Sequence, residues 1–532
     1  MSRRTWTVIL AIAVTLAACG TPGPTASPAP STSAATLAPA ATASAAPTPS
    51  PTRSAAPSPS PTPSPSPTPT PSLTAGSLGW LSLAGIDSAR VVVPLDYGKP
   101  SAGTIALAVV RRRVADPAKR VGTLFLNPGG PGASGVAMLA GASGALPQVV
   151  VDRFDLVSWD PRGVGFSRGV TCPDHATIAK VEALDPSPTT AADIAAYRTA
   201  FDQVATQCEA AAGDILPFLS GANTARDMDA IRAAMGEATI SYWGWSYGTY
   251  IGYLYATLFP TRLRAAVLDG PVDPMLDLAG RDDGQARGFE AAFNRELVLC
   301  AGSRACPFYS GGEPAKVYTA LMARLESAPI TVAGLGTLGP GEAATGVLTS
   351  LYGGDPQTTM RALAEAQRGD GEALLSMANA YYAQIQLGSY LATACLDVAR
   401  EPTTAAIDQV LAHTSAAAPR FAAQVVLTDA YGCLDWPVAA KPVTVGAPPS
   451  GLPPILVLAA TYDPATPPWD AAPLARVLGS GVVLMRDGLG HTSEGSIRTN
   501  TCLGDAASAY LLRLATPKAG TVCKDAPVIF GP

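Results

Sequence analysis

Ser246 is the residue whose surroundings most clearly indicate chemistry. It stands in the centre of the string Gly-Trp-Ser-Tyr-Gly at 244–248, between an apolar, β-branched and aromatic run (240–243) and a helical pattern that starts just after it. A Gly-x-Ser-x-Gly string placed between a strand and a helix is typical of a nucleophile elbow, in which a Cβ at either glycine would collide with neighbouring backbone. The serine hydroxyl is then exposed above the edge of the sheet, near the free N–H groups that begin the helix. The alternative is an ordinary strand-to-helix turn.

His491 is the candidate base for this serine. The chain has three histidines. His175 lies in a loop flanked by cysteines and His413 in a helical region, whereas His491 follows the predicted strand Val482–Arg486 in a Gly-Leu-Gly-His turn. A histidine at the end of a strand can take the proton from the serine hydroxyl and later give it to the leaving group.

Asp463 is the candidate acid that orients the imidazole. It lies just past the predicted strand Pro454–Ala460, where open α/β sheets place their ligands. It precedes His491 by 28 residues (491 − 463 = 28), about the length of one helix plus one strand, so both loops should reach the same edge of the sheet. Asp269 and Asp487 are the alternatives for this role.

A glycine-rich segment at 127–135, Asn-Pro-Gly-Gly-Pro-Gly-Ala-Ser-Gly, follows the predicted strand Thr123–Leu126. Dense glycine after a buried strand lets main-chain N–H groups face a ligand. An elbow hydrolase takes one oxyanion donor from this loop and the other from the residue after the nucleophile. Gly130 and Tyr247 are therefore the candidate donors. A flexible connector is the alternative, but the two prolines argue against it.

The hydrophobic pattern of the rest of the chain predicts the strands and helices that position the candidate site residues. Strands are predicted at 90–95, 104–110, 154–159 and 265–268, and helices at 191–212 and from 223 to about 236. From about 275 to 431 the strand rhythm stops and Ala- and Leu-rich helical patterns replace it. We therefore predict an α/β core at 76–274 and 432–532, interrupted by a helical lid at 275–431. Asp160 and Arg162, in a loop between strands, are expected to pair with each other.

The N-terminal segment has the features of an export signal. Arg3 and Arg4 precede an apolar stretch, and Leu-Ala-Ala-Cys at 16–19 closes it. Residues 1–19 resemble the signal peptide of a bacterial lipoprotein, in which Cys19 is acylated and anchors the mature chain to the membrane. A secreted protein with a chance cysteine is the alternative. Residues 20–75 are mostly Pro, Ser, Thr and Ala and are predicted to form a disordered, extended tether.

Net charge and cysteine content indicate which partners and crosslinks to expect. The net charge is −5 and no cluster of Lys and Arg is visible, so nucleic acid is not an expected partner. Without Cys19, eight cysteines remain, and none is spaced from a histidine as metal ligands are. In an exported chain they favour four disulfides. The simplest pairing joins sequence neighbours, 172–208, 300–306, 395–433 and 502–523, although eight cysteines allow 105 pairings.

Taken together, the motifs resemble those of a known family. They are Asn-Pro-Gly-Gly-Pro-Gly at 127, Asp-Pro-Arg-Gly-Val-Gly-x-Ser at 160, Thr-Ala-Arg-Asp-Met-Asp at 224, Gly-Trp-Ser-Tyr-Gly-Thr at 244, Leu-Asp-Gly at 268, Tyr-Asp-Pro-Ala-Thr-Pro at 462 and Gly-His-Thr at 490. Over about 80–523 the chain looks like the secreted tripeptidyl aminopeptidases, which are related to the prolyl iminopeptidases. The resemblance implies an α/β-hydrolase fold: a mostly parallel eight-stranded sheet, helices on both faces and an inserted lid.

The resemblance also implies an activity. It points to a serine peptidase that needs no metal or cofactor and releases short peptides, tripeptides in particular, from larger peptide substrates. Prolyl iminopeptidases carry His-Gly-Gly-Pro-Gly where this chain has Asn127 and Pro128 before the two glycines, so release of single prolines is less expected. We expect a monomer. A carboxylester hydrolase on the same fold and a non-catalytic surface lipoprotein are the rival functions.

An exopeptidase of this kind must bind a free ammonium group. Asp282, Asp283 and Glu290 follow the sixth predicted strand, and Asp283 and Glu290 share one face of a predicted helix. We expect one or more of these carboxylates to bind the N-terminus of the substrate. A solvated helical face is the alternative for each.

Overall fold

The computed structural model describes residues 78–531, apart from 142–143, 187, 189, 385 and 401–402. The predicted signal peptide, the acylated Cys19 and the tether at 20–75 lie outside the described residues.

A ten-stranded sheet organises the core. Its strands stand in the spatial order β1-β2-β3-β5-β4-β6-β7-β10-β11-β12. In this spatial order, neighbouring strands pair antiparallel from β1 through β5. They pair parallel from β5 through β12. The strands, including a separate hairpin of β8 and β9, are β1 (Leu81–Leu83), β2 (Ile86–Pro94), β3 (Thr104–Arg112), β4 (Gly122–Asn127), β5 (Phe154–Trp159), β6 (Ile240–Trp245), β7 (Leu263–Asp269), β8 (Ile330–Val332), β9 (Gly336–Leu338), β10 (Ile455–Tyr462), β11 (Gly481–Leu489) and β12 (Val522–Lys524).

The helices divide into those of the core and those of an insertion. The core helices are α1 (Gly135–Gly141), α2 (Gln148–Val151), α3 (His175–Glu182), α4 (Ala191–Ala212), α5 (Gly221–Ala234), α6 (Tyr247–Leu258), α15 (Ala471–Leu478) and α16 (Thr501–Arg513). Between β7 and β10 lie α7 (Leu278–Ala301), α8 (Pro314–Ser327), α9 (Pro340–Gly353), α10 (Pro356–Gln367), α11 (Glu372–Gln384), α12 (Leu387–Asp397), α13 (Thr404–Ala417) and α14 (Ala422–Leu434). None of these helices, within the described residues, combines the length and apolar character needed to cross a membrane.

Helices cover both faces of the sheet, which explains why its central strands are apolar throughout. Successive side chains of a strand point to opposite faces. Phe125 and Tyr242 pack with α5, α6 and α15, whereas their neighbours Leu126 and Trp243 pack with α1, α2 and α16. Strands β5 and β6 are therefore buried along their full length, as in other sheets enclosed by helices. The predicted α/β-hydrolase architecture is confirmed.

Two details differ from the expected sheet and lid. The sheet has two more strands than the eight expected, because β1 and β12 add three residues each at its edges. Both are mostly exposed and too short to show an alternating pattern. The insertion is helical as expected, but it also contains the short hairpin of β8 and β9. Its side chains form most of a hydrophobic cluster, to which Phe289, Phe293 and Phe421 belong and which Ala465 and Phe530 of the α/β core complete.

All four disulfides predicted from sequence order are present. Cys172–Cys208 joins the segment before α3 to α4, and Cys395–Cys433 joins α12 to α14. Cys300–Cys306 closes the end of α7, and Cys502–Cys523 joins α16 to β12. Such crosslinks stabilise a fold mainly by restricting the unfolded chain.

The expected pairing of Asp160 with Arg162 is wrong. Asp160 instead accepts hydrogen bonds from Ser134 Oγ (2.5 Å) and from two main-chain N–H groups of the surrounding loops. Arg162 donates two hydrogen bonds to Asp227 of α5, at 2.7 and 2.6 Å, and both side chains are fully buried. The remaining guanidinium donors reach carbonyl oxygens at Pro94, Leu95 and Phe218. A buried ion pair thus fixes α5 against the loop after β5.

We predict that Arg162→Met destabilises the fold strongly, because it leaves the Asp227 carboxylate buried without its cation. Breaking a buried pair in this way costs about 3–5 kcal/mol. Arg168→Met is the matched control, since its partner Asp214 and Arg168 itself are about half exposed (65% and 49%) and such pairs contribute about 0–1 kcal/mol. Urea unfolding followed by circular dichroism measures both. Equal midpoints for the two variants would contradict the prediction.

Candidate active site

The turn from β6 to α6 has the geometry of a nucleophile elbow. Ser246 adopts φ 56° and ψ −125°, a conformation that L-residues rarely occupy and that is held only where the surroundings enforce it. A Cβ at Gly244 would lie 2.3 Å from the carbonyl oxygen of Gly248, and a Cβ at Gly248 would lie 2.7 Å from that of Asn127. The main-chain N–H of Ser246 donates to the carbonyl of Asp269 (2.8 Å). Both glycines are therefore required by close packing.

His491 and Asp463 form a hydrogen-bonded pair at the same edge of the sheet. His491 Nδ1 lies 2.8 Å from Asp463 Oδ1, and Asp463 is 1% exposed. Burial alone would raise the pKa of Asp463, but the charge of His491 and hydrogen bonds from His491 and from the main chain of Thr466 and Thr492 outweigh it and hold that pKa below its usual range. An ionised carboxylate only accepts hydrogen bonds. Nδ1 therefore carries the proton, which leaves Nε2 free to act as a base.

Ser246 and His491 both lie next to the turn formed by Asp269 and Gly270. The carbonyl of Asp269 accepts the N–H of Ser246, and a Cβ at Gly270 would lie 3.3 Å from His491 Cε1. Thr466 lies on the wall of the cavity that Ser246 lines, and its Oγ1 is 3.3 Å from His491 Nδ1. The hydrogen bonds found among the described residues do not include one between Ser246 and His491. Such bonds often form only when substrate is bound.

The two alternative acids lie elsewhere. Asp269 is buried at the end of β7 and accepts hydrogen bonds from the N–H (2.9 Å) and the hydroxyl of Ser493. Burial raises the pKa of Asp269 to about 6, although the bonds from Ser493 oppose this rise. Asp487 is exposed on β11. Of the three aspartates, the structure brings Asp463 to the imidazole.

The predicted oxyanion donors both lie on the wall of the Ser246 cavity. Gly129 and Gly130 have φ of 89° and 102°, and a Cβ at Gly129 would lie 3.0 Å from Tyr247 N. The buried Asn127 side chain accepts the N–H of Gly129 (2.9 Å) and so stabilises the turn of this loop. Tyr247 is the first residue of α6, so its N–H has no acceptor within the helix. The role of both groups as oxyanion donors stays a prediction.

The three carboxylates expected to bind the substrate ammonium do not line the Ser246 cavity. Each faces other parts of the insertion. The neighbours are Arg281 at 3.8 Å for Asp282, Thr414 at 3.1 Å and Arg287 at 3.2 Å for Asp283, and Arg420 for Glu290. The helical spacing did place Asp283 and Glu290 on one face of α7, but that face packs toward α13 and α14. The prediction that these carboxylates bind the ammonium group of the substrate is therefore wrong.

Four other aspartates line this cavity, which has a volume of about 370 Å³. Asp277 caps α7 through the N–H of Gly280 (2.9 Å). Asp397, at the end of α12, accepts hydrogen bonds from the Tyr247 hydroxyl and from the N–H of Gly221. Burial raises the pKa of Asp397 to about 6. The other two are Asp273 and Asp470.

Asp273 and Asp470 form the part of the cavity wall best suited to a cation. Asp470 is 7% exposed, and the salt bridges among the described residues include no Lys or Arg within 4 Å of either carboxylate. Burial, and then the charge of Asp273, raise the pKa of Asp470 to about 7. A bound cation would remove this electrostatic cost. Both residues follow strands β7 and β10 in loops at the carboxyl edge of the sheet, which is the signal that could have identified them.

Arg486 is a further residue of the site that sequence reasoning missed. Its buried guanidinium donates to the carbonyls of Gly490 (2.8 Å) and Thr492 (2.9 Å), which stand on either side of His491. Asp525, after β12, accepts a third hydrogen bond from it (2.9 Å). Arg486 therefore fixes the loop that carries the imidazole.

The end of α9 supports His491 from the opposite direction. The N–H of His491 donates to the carbonyl of Tyr352 (2.9 Å), and the Tyr352 ring stands edge-on to the imidazole at 5.2 Å. The insertion therefore contributes directly to the position of the predicted base.

Comparisons with known proteins agree with this geometry. Residues 122–310 match a family model described as alpha/beta hydrolase fold, and residues 418–523 match one described as TAP-like protein. The chain is 34% identical over 466 residues to the serine protease Hip1 of Mycobacterium tuberculosis, covering 82% of this chain and 86% of the relative. It is 32% identical over 471 residues to the tripeptidyl aminopeptidase of Streptomyces coelicolor (82% and 83% covered). It is 31% identical over 463 residues to carboxylesterase B of M. tuberculosis (82% and 86% covered).

We predict that His491→Ala lowers kcat by about 10⁶-fold and Asp463→Asn by about 10⁴-fold, because the first removes the base and the second leaves the imidazole in the wrong tautomer. His413→Ala is the matched control, since that side chain is 80% exposed on α13, and its kcat should equal that of the wild type. Steady-state hydrolysis of an activated ester measures all three. A His491→Ala enzyme that retains activity would exclude His491 as the base.

Proposed function

Because the chain belongs to the TAP-like α/β-hydrolases and is a serine hydrolase, we propose that it is an extracytoplasmic exopeptidase that releases short peptides, tripeptides in particular, from free N-termini. The observation that carries this proposal is the acidic wall of the cavity beside Ser246. A cavity of about 370 Å³ is within the range of small-ligand sites and suits a short peptide.

In the proposed mechanism Ser246 attacks the carbonyl carbon of the scissile bond while His491 Nε2 takes its proton. The ionised Asp463 stabilises the imidazolium, and the N–H groups of Gly130 and Tyr247 bind the oxyanion. His491 then protonates the leaving amine, and an acyl-enzyme remains on Ser246. A water molecule, deprotonated by His491, hydrolyses this ester and restores the serine.

The carboxylates supply the preference for a free N-terminus. An ammonium group is attracted to Asp273 and Asp470, whose negative charges repel each other. Charge-assisted hydrogen bonds to carboxylates are stronger than neutral ones, and a partly enclosed site screens them less than bulk water does. An acetylated N-terminus would lose the charge and bring a carbonyl oxygen against carboxylates. The acidic wall thus favours an exopeptidase over an endopeptidase.

A carboxylester hydrolase is the second candidate. It is favoured by the 31% identity to the protein named carboxylesterase B and by a catalytic arrangement that serves esters as well as amides. A non-catalytic binding lipoprotein is disfavoured, because the hydrogen-bonded Asp463 and His491 and the elbow at Ser246 are all present.

We predict that the enzyme cleaves alanyl-alanyl-prolyl amide reporters with a free N-terminus, and that N-acetylation lowers kcat/KM by about 100-fold through loss of the buried charge pair. Asp470→Asn should reduce this preference by weakening binding of the free N-terminus only. Asp505→Asn, exposed on α16, is the matched control and should keep it. Fluorogenic assays of both reporters with the three proteins measure the ratio.

Equal rates on free and acetylated reporters would contradict the exopeptidase proposal. If p-nitrophenyl esters were then hydrolysed far faster than either amide, the carboxylester hydrolase would be the better assignment. Ser246→Ala should abolish every one of these activities.

We also propose that Cys19 carries the lipid that anchors the enzyme to the outer face of the bacterial cytoplasmic membrane, with residues 20–75 as the tether. The support is the lipobox sequence that ends at Cys19. The full-length protein is expected to enter the detergent phase on Triton X-114 partition, and Cys19→Ala to remain in the aqueous phase. Aqueous partition of the unaltered protein from its native host would contradict the anchor.

A further inference from the structure

A second and larger cavity has the predicted base on its wall. It has a volume of about 990 Å³ and is lined by His491, by its neighbours at 486–492 and 494–496, by residues 524–528 at and after the end of β12, and by Arg295 of α7. We call it the histidine-side cleft. Ser246 lines the first cavity, His491 lines this one, and Tyr352 lines both. The two cavities therefore share a wall residue, Tyr352, whose ring stands beside His491.

We propose that the histidine-side cleft binds the leaving part of the peptide substrate, the segment that follows the scissile bond. The inference rests on the proposed function and extends it to the other half of the substrate. The acyl part becomes attached to Ser246 and occupies the cavity with the aspartates. The leaving nitrogen takes its proton from His491, so the chain that continues from that nitrogen must lie on the histidine side.

The lining of the cleft suits a peptide better than an apolar alcohol. Two exposed glycines, Gly353 and Gly495, border it. A Cβ at either position would meet no atom within 4 Å, so the main chain there is accessible to the backbone of a ligand. Charged side chains of both signs also line it, among them Arg295, Glu494 and Lys524. A leaving group that is itself a peptide can match such a surface with hydrogen bonds and ion pairs.

Arg295 gives the cleft a specific electrostatic feature. It is partly buried, and its guanidinium lies 5.6 Å from the centre of the Tyr462 ring, which holds it in place. Within the described residues it forms no salt bridge at 4 Å or less. A guanidinium placed over an aromatic ring and without a salt-bridge partner is a ready site for a carboxylate. We assign it to the α-carboxylate of a short leaving peptide.

The experiment compares three substrates that share the acyl part Ala-Ala-Pro: the p-nitroanilide, the pentapeptide Ala-Ala-Pro-Gly-Gly, and the C-terminal amide of that pentapeptide. Wild-type enzyme is expected to prefer the free pentapeptide over its amide by about tenfold in kcat/KM. Arg295→Met should remove this preference and leave p-nitroanilide hydrolysis unchanged. Arg295→Lys should restore part of it, since the charge is retained. Arg361→Met, an exposed arginine on α10, is the matched control and should behave as wild type.

Two results would overturn the assignment of the cleft while leaving the proposed function intact. One is equal kcat/KM for the free and amidated pentapeptides in the wild type, with the p-nitroanilide hydrolysed normally. The other is an Arg295→Met enzyme that loses the same factor on all three substrates, which would indicate a structural role for Arg295. If the wild type hydrolysed activated esters but neither the p-nitroanilide nor the two pentapeptides, both the proposed function and the role of the cleft would be contradicted.

Discussion

The last residue of β7 connects the two halves of the proposed catalytic arrangement. The Asp269 carbonyl accepts the N–H of Ser246 (2.8 Å) and so helps to hold the proposed nucleophile in its strained conformation. The Asp269 carboxylate accepts the N–H (2.9 Å) and the hydroxyl of Ser493, two residues after His491. One residue on a central, buried strand thereby links the loop of Ser246 to the loop of His491. Strain of this kind persists only where the surrounding fold enforces it.

The sequence could reveal those features that depend on neighbouring residues or on where the ends of strands meet. The elbow depends on residues that are neighbours in the chain, so the motif of Gly244, Ser246 and Gly248 predicts it directly. Asp463 and His491 each end a strand of a parallel sheet, and strand ends meet at one edge. Fold class, insertion and triad candidates all follow from such local or topological rules. The disulfides follow as well, because each joins cysteines that are consecutive in the chain.

What the sequence could not reveal depends on contacts between distant segments. Arg162 was expected to pair with its neighbour Asp160, yet it reaches Asp227, 65 residues later in the chain. Helical periodicity placed Asp283 and Glu290 on one face of α7 but carried no information about what that face would meet. Asp273 and Asp470 belong to loops nearly 200 residues apart, and their proximity arises only when β7 and β10 pair.

The position of His491 on the wall of the histidine-side cleft also sets an order of events for the proposed reaction. The imidazole that protonates the leaving amine must next deprotonate a water molecule, and that water must approach from the side on which the amine stood. A peptide that stays in the histidine-side cleft therefore blocks water and can attack the acyl-enzyme again. Release of the leaving peptide has to precede hydrolysis of the ester. Arg295 would then affect two steps in opposite directions, since tighter binding of the leaving segment favours acylation and delays the entry of water.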